Sequence, residues 1–154
     1  MRVLGIDPGT HCGWALWDGS AFVASGTLDL TPRRHEGGGM RFLRFRTAFA
    51  EMLADLGPGG VVAYEEVRRH LGTDAAHIYG GLISQLSAEC ELRGIPYRGV
   101  PVATVKRLAT GKGNADKAAM RAEAARRWGG EWPAKREDEA DARFIALTLA
   151  KELS

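Results

Sequence analysis

Apolar positions along the chain come first in short runs and then at helical spacing. Val3 to Ile6 is an apolar run that ends in the turn signal Asp7-Pro8-Gly9. Gly13 to Trp17 resumes as a strand, and Asp18-Gly19 predicts a hairpin onto a strand from Ala21 to Leu28. From Met40 to Leu56, Phe42, Phe45, Phe49, Met52 and Leu56 recur every three or four positions, the period of an amphipathic helix, and Gly57-Pro58-Gly59-Gly60 ends it. Val61 to Tyr64 is a second apolar run leading into acids. A helix follows from about Asp74 to Arg93, and then a short strand from Ile95 to Val100. Asn114 is the expected cap of a helix from Ala115 to Trp128, and Pro133 precedes a last helix from about Arg136 to Leu153. Strands followed by alternation with helices predict an α/β fold around a mixed sheet. With no internal repeat and no long linker, residues 1–154 are expected to form one domain.

Composition narrows the class. Of 154 residues 45% are apolar and 26% charged, the balance of a water-soluble globular protein. No apolar run approaches the roughly 18 residues of a membrane span. The first acid, Asp7, comes too early for a signal peptide, so a cytoplasmic location is expected. Cys12 and Cys90 match neither a disulfide framework nor a zinc signature and are expected to be reduced packing residues.

The net charge of +2 hides an uneven distribution. Between Pro101 and Arg136 nine basic residues stand against the three acids Asp116, Glu123 and Glu131. A second cluster is Arg33, Arg34, Arg41, Arg44 and Arg46, relieved by Glu36. Acids concentrate instead at Glu65-Glu66 and in Glu137-Asp138-Glu139-Ala140-Asp141. Basic flanks around an acidic focus suit an enzyme that holds a polyanion and cuts it with metal ions, although solvated helix faces would give the same count.

The acids have positional meaning. Asp7 and Glu65 each follow a four-residue apolar run, so parallel, adjacent strands would bring both to one sheet edge, where ligands of open α/β sheets bind. Asp138 and Asp141 are spaced i, i+3 and share a helix face. The positive helix N-terminus alone accounts for acids at 137–139, but less well for Asp141, deeper in and beside Phe144, Ile145 and Leu147. Four carboxylates without clustered His or Cys favour Mg²⁺ or Mn²⁺ over zinc. Two such ions about 4 Å apart can serve both the attacking water and the leaving oxygen of a phosphodiester displacement.

Two further patterns leave alternatives open. Ala76, Gly80, Ser84 and Ala88 form a stripe of small residues that either presses on the sheet or pairs with another subunit. Gly111-Lys112-Gly113 is not a nucleotide-binding P-loop, because the required earlier glycine would fall on Lys106.

Four segments in order resemble the RuvC family of Holliday-junction resolvases, in the ribonuclease H-like superfamily. Gly5-Ile6-Asp7-Pro8-Gly9-Thr10 resembles its opening strand and turn, and Ala63-Tyr64-Glu65-Glu66-Val67 its second acidic strand. Gly111-Lys112-Gly113-Asn114-Ala115-Asp116-Lys117 is similar to its glycine-containing loop leading to a lysine, and Asp138-Glu139-Ala140-Asp141-Ala142 to its closing acidic motif. The first segment also opens actin-like ATPases and sugar kinases, which need two lobes, more than 154 residues provide. The resemblance implies a ribonuclease H-like fold, a five-stranded mixed β-sheet flanked by α-helices. It implies that Asp7, Glu65, Asp138 and Asp141 bind two Mg²⁺ ions, with Asp7 between them and Mn²⁺ able to substitute. It further implies a homodimer, pairing through the helix from Asp74, that makes paired nicks in four-way DNA junctions and leaves 5′-phosphate and 3′-hydroxyl ends. A branch-migration motor is a further partner in that reading, and the source would be a bacterium or a phage. Lys117, as a catalytic cation, and Lys106 stand where the family has lysines near the cleaved strand.

The chain departs from the family after Glu65. The position three residues on, commonly aromatic, is Arg68, followed by Arg69 and His70. Arginine can stack on a base or grip phosphate, so Arg68, Arg69 and His70 are candidate DNA contacts. Lys106, Lys112, Lys117 and Arg121 join them, with Arg126 and Arg127 as further backbone contacts. The alternatives are a nuclease of the same fold acting on other branched DNA or on RNA–DNA hybrids, and a non-catalytic junction-binding module.

Overall fold

The structure is a computed structural model and describes residues 1–154. Strands β1 (Val3–Asp7), β2 (His11–Trp17), β3 (Phe22–Asp29), β4 (Val61–Glu66) and β5 (Tyr97–Pro101) form one sheet in the order β3-β2-β1-β4-β5. The β1–β2 and β2–β3 pairs are antiparallel, and β1–β4 and β4–β5 are parallel. At the β2–β3 turn, the Asp18 carboxylate accepts hydrogen bonds from the amides of Ser20 and Ala21, both at 2.8 Å.

Five helices cover the sheet: α1 (Gly39–Leu56), α2 (Thr73–Arg93), α3 (Val102–Thr110), α4 (Lys117–Trp128) and α5 (Glu137–Leu153), the last entered through a 3₁₀ turn at Ala134–Arg136. Successive strand side chains point to opposite faces, and the core divides accordingly. Val3, Val61, Ala63 and Val100 pack with Phe144, Ile145 and Leu149 of α5 and with Met120 and Ala124 of α4. Leu4, Ile6, Leu16 and Val62 pack on the other face with Phe45, Phe49 and Leu56 of α1 and Leu82, Leu86 and Cys90 of α2. The mixed five-stranded sheet flanked by helices is the one expected.

Three local expectations change. The α4 cap is Asp116, whose carboxylate accepts from the Ala119 amide at 2.8 Å, so the helix starts after it and Asn114 lies in the preceding turn. Helix α3 has no counterpart in the periodicity reading, because its nine residues bury only Val105 and Ala109. The small-residue stripe of α2 does not press on the sheet. Ala76, Gly80, Ser84 and Ala88 are all exposed, while Leu82, Leu86 and Cys90 face inward. The two adjacent glycines also differ in role. A Cβ at Gly81 would come within 2.3 Å of the Phe42 ring on α1, whereas Gly80 faces open space.

Both cysteines are free and buried. No helix is long and apolar enough to cross a membrane.

Candidate active site

Helix α5 reaches the sheet through two glycines. A Cβ on Gly5 of β1 would lie 2.3 Å from the Ala142 carbonyl oxygen, and one on Gly13 of β2 would lie 1.8 Å from that of Asp138. Only bare backbone at both positions lets the helix lie so close, and Ala142 and Ala146 keep its own face small. The first turns of α5 are thereby set against the end of β1. Asp7, Asp138 and Asp141 each present a carboxylate oxygen there, all within 4.8 Å of one another, and all three are half-buried.

Glu65 stands outside this tight trio. It leaves the end of β4, next to β1 in the sheet, and lines a cleft of about 140 Å³ with Asp141, Lys106 and Lys117. That is smaller than the roughly 300–1,000 Å³ of small-molecule pockets, as expected where a large substrate supplies the rest of the surface. Glu66 projects away and ion-pairs with Arg68 at 4.0 Å. Of the two adjacent acids, the cleft therefore takes Glu65.

All four acids have raised pKa values. Loss of hydration is the largest cause for each. Asp7 is then pushed further by the charges of Glu65, Asp141 and Asp138 and rises well above the carboxylate range. Asp141 is pushed up to about 7, with the charge of Glu65 adding to desolvation. Glu65 rises despite Lys106 and Lys117, and Asp138 rises despite a hydrogen bond with Asp7. Four desolvated carboxylates beside only two lysines lack compensating positive charge. The donors are all hard oxygen. His11 turns to Asp29 at 3.9 Å, and the neighbouring Cys12 thiol is held protonated by burial. This set fits divalent cations of the Mg²⁺ or Mn²⁺ type.

Lys117 donates to Glu137 at 3.2 Å. Desolvation pulls its ammonium down, but Glu137, Asp141 and Asp138 outweigh this and leave its pKa raised, so it is a cation at neutral pH. Lys106, Lys112 and Arg121 make no ion pair, and the Arg121 Nε is buried without a partner. Arg126 and Arg127 are committed inside the chain. Both grip Glu123, and Arg127 also donates to the carbonyls of Leu108 and Ala109. Arg127 thereby ties α4 to α3, while Arg126 pairs within its own helix and stays exposed.

Around the 67–72 loop, Arg68 and Arg69 are exposed, whereas the His70 ring packs on Tyr79 of α2 with centroids 4.9 Å apart. Leu71 is fully exposed, an apolar side chain that sequence reasoning passed over because exposure is not written in residue type.

Also unforeseen is the clamp behind the acids. Glu139, between Asp138 and Asp141, is buried and turns away from the cleft to accept from Ser25 of β3 at 2.7 Å and twice from Arg136 at 3.0 Å. Burial pushes its pKa up, but those hydrogen bonds outweigh burial and hold it ionised. Arg143 closes the network through Ser25 and lies over the rings of Phe22, Trp128 and Trp132. Glu139 thus has partners beyond the helix N-terminus. It ties the start of α5 to the sheet edge while its neighbours face the cleft.

No protein-family model matches the chain. Among curated proteins, a RuvC crossover junction endodeoxyribonuclease of Rhodococcus jostii (strain RHA1) is 37% identical over 158 residues, which covers 96% of this chain and 79% of that protein. One from Nocardia farcinica (strain IFM 10152) is 34% identical over 157 residues, with coverage of 96% and 79%. Among solved structures, Thermus thermophilus RuvC superposes with a TM-score of 0.77 at 26% identity, covering 96% of this chain and 92% of that one. RuvC of T. thermophilus in complex with Holliday junction substrate gives a TM-score of 0.82 at 24% identity, covering 99% and 94%. Relatives at this identity span nearly all of the chain, and the sheet and helices agree with theirs. The chain therefore belongs to the RuvC family of crossover junction endodeoxyribonucleases.

Proposed function

We propose that this chain is a metal-dependent endonuclease that resolves four-way DNA junctions by paired, symmetric nicks. The observation that carries the reading is the convergence of Asp7, Asp138 and Asp141 within 4.8 Å, with Glu65 lining the same cleft as Asp141. Asp7, Glu65, Asp138 and Asp141 would hold two Mg²⁺ ions, and Mn²⁺ would serve in their place. Ions held there would supply an activated water and charge stabilisation at the leaving 3′ oxygen, chemistry that would leave 5′-phosphate and 3′-hydroxyl ends.

The chain's own cations complete the site. Lys117, held at the cleft by Glu137, and Lys106, free of any ion pair, line it together with Glu65 and Asp141, where positive charge would offset charge gathering on the phosphoryl oxygens. Lys112 and Arg121 carry the DNA backbone beyond the cleft. Arg68 and Arg69 reach the junction from the exposed loop after β4, and Leu71 supplies the apolar surface that the missing aromatic residue would have given, since an apolar wedge can enter between base steps. His70, packed on Tyr79, supports that loop. The exposed stripe Ala76, Gly80, Ser84 and Ala88 is the surface for pairing in a homodimer, which would present two clefts to the two scissile strands.

The test is cleavage of an end-labelled synthetic four-way junction beside a fork, a linear duplex and an RNA–DNA hybrid, with Mg²⁺, Mn²⁺ or chelator. Paired symmetric nicks confined to the junction and lost in chelator are expected. Cutting of the hybrid alone would replace the substrate while keeping the acids, and junction binding without cutting under either metal would make the chain a binding module.

A further inference from the structure

The hydroxyl of Tyr79, on α2, donates to the backbone carbonyl of Glu65 at 2.9 Å and accepts from the backbone amide of Val67 at 3.1 Å. The sheet explains why these two groups need a partner. Val61 donates to the Arg2 carbonyl, and the parallel β1–β4 register runs to Ile6 opposite Tyr64. In a parallel ladder a residue that donates to one partner accepts from the residue two positions further on. Continued to Glu65, that register would look for the amide of residue 8. Residue 8 is proline, which has no N–H, and the chain turns away there. The Glu65 carbonyl and the Val67 amide are thus orphaned on the β1 side, where the acids converge. One phenol fills both places.

We infer that Tyr79 is a positioning residue for Glu65: it takes the place of the missing strand neighbour and fixes the backbone from which that carboxylate reaches the cleft. The inference rests on Glu65 being a metal ligand as proposed above. The Tyr79 ring also carries His70, so the same residue seats the loop bearing Arg68, Arg69 and Leu71. A shift of that loop on DNA is passed to Glu65 through one hydroxyl.

The test uses Tyr79→Phe in the full chain, which keeps the ring and its packing on His70 and removes both hydrogen bonds. In calorimetric titration without DNA, Mn²⁺ affinity is expected to fall on the order of tenfold, the scale of outer ligand-orienting contacts. Single-turnover cleavage at saturating junction should fall on the same order while junction Kd changes less than about twofold. In the wild-type protein the Val67 amide should be protected from hydrogen exchange, and in the variant it should exchange freely. Unchanged Mn²⁺ affinity in a folded variant would overturn the inference. So would rapid Val67 exchange in the wild-type protein, which is read without any variant. If the wild-type chain fails to cut junctions, the substrate reading falls, while Mn²⁺ binding and amide exchange still decide the role of Tyr79.

Discussion

The α-carbon of Gly13 lies so close under Asp138 that a methyl group on it would sit 1.8 Å from the Asp138 carbonyl oxygen. That approach sets the depth at which α5 meets the sheet, and hence where Asp138 and Asp141 stand relative to Asp7. Gly13→Ala is expected to lift the first turn of α5. Overpacking of this kind costs about 1–3 kcal/mol, and the catalytic loss should exceed what stability explains, because the carboxylates themselves are displaced. Thermal melts paired with single-turnover junction cleavage check both parts. Cleavage at the wild-type rate in a folded variant would mean the acids tolerate the shift.

Asp7 receives charge repulsion from Glu65, Asp138 and Asp141 together, so it is the acid shared by the whole group. Asp7→Asn removes one negative charge without changing side-chain size, and it should abolish cutting while junction binding remains or tightens slightly. A gel-shift titration beside the cleavage assay separates the two. Comparable cutting by Asp7→Asn would remove Asp7 from the mechanism.

Much of this site can be read from the chain alone, for identifiable reasons. Asp7 and Glu65 announce themselves because each ends an apolar run, and the parallel β1–β4 pairing brings both to one edge. Asp138 and Asp141 share a helix face by spacing. What residue type does not carry is the direction in which a charged side chain is spent. Arg126 and Arg127 look like a polyanion surface but close on Glu123, and Glu139 looks like a helix-end acid but is buried against Ser25 and Arg136. The Glu139–Ser25 contact is decided by how α5 meets β3, segments far apart in sequence, whereas Arg126 and Arg127 reach Glu123 within α4 itself, at i, i+3 and i, i+4, spacings that a count of charges passes over. Helix α3 escapes notice because nine residues show too few turns for a period, and Gly13 because a glycine required by a close approach reads like any other strand residue.

The acids also predict how metal-free stability varies with pH. Asp7, Glu65 and Asp138 have raised pKa values in the folded chain, and that of Asp141 reaches about 7, whereas unfolded carboxyls titrate near 4. Between those limits the unfolded chain has lost protons that the folded chain keeps, so stability falls as pH rises toward 7. The carboxylates held low by hydrogen bonds, Asp18, Asp29, Glu36, Glu123 and Glu139, act in the opposite sense, but only in acid, where protonation removes their contribution. In chelator the melting temperature should therefore be higher near about pH 5 than near about pH 8, and Mn²⁺ should close the gap by binding the ionised cluster. Asp141→Asn should flatten the slope. A melting temperature that climbs from pH 5 to pH 8 in chelator would show that the acids are not mutually destabilising.

Salt dependence distinguishes cations free to meet DNA from those already engaged. Each phosphate neutralised contributes about 0.9 to the slope of log affinity against log salt on duplex DNA. Lys112 and Arg121 make no ion pair, so Lys112→Ala and Arg121→Ala should each lower the slope by one unit or less and weaken binding across sequences. Arg126→Ala should leave the slope nearly unchanged, because its guanidinium is forked on Glu123 with Nε and a terminal nitrogen at 3.0 and 2.6 Å. Junction-binding titrations at several salt concentrations read this difference. Equal loss from Arg121→Ala and Arg126→Ala would mean that DNA displaces Glu123 from its arginine, and the outer face of α4 would then join the DNA surface.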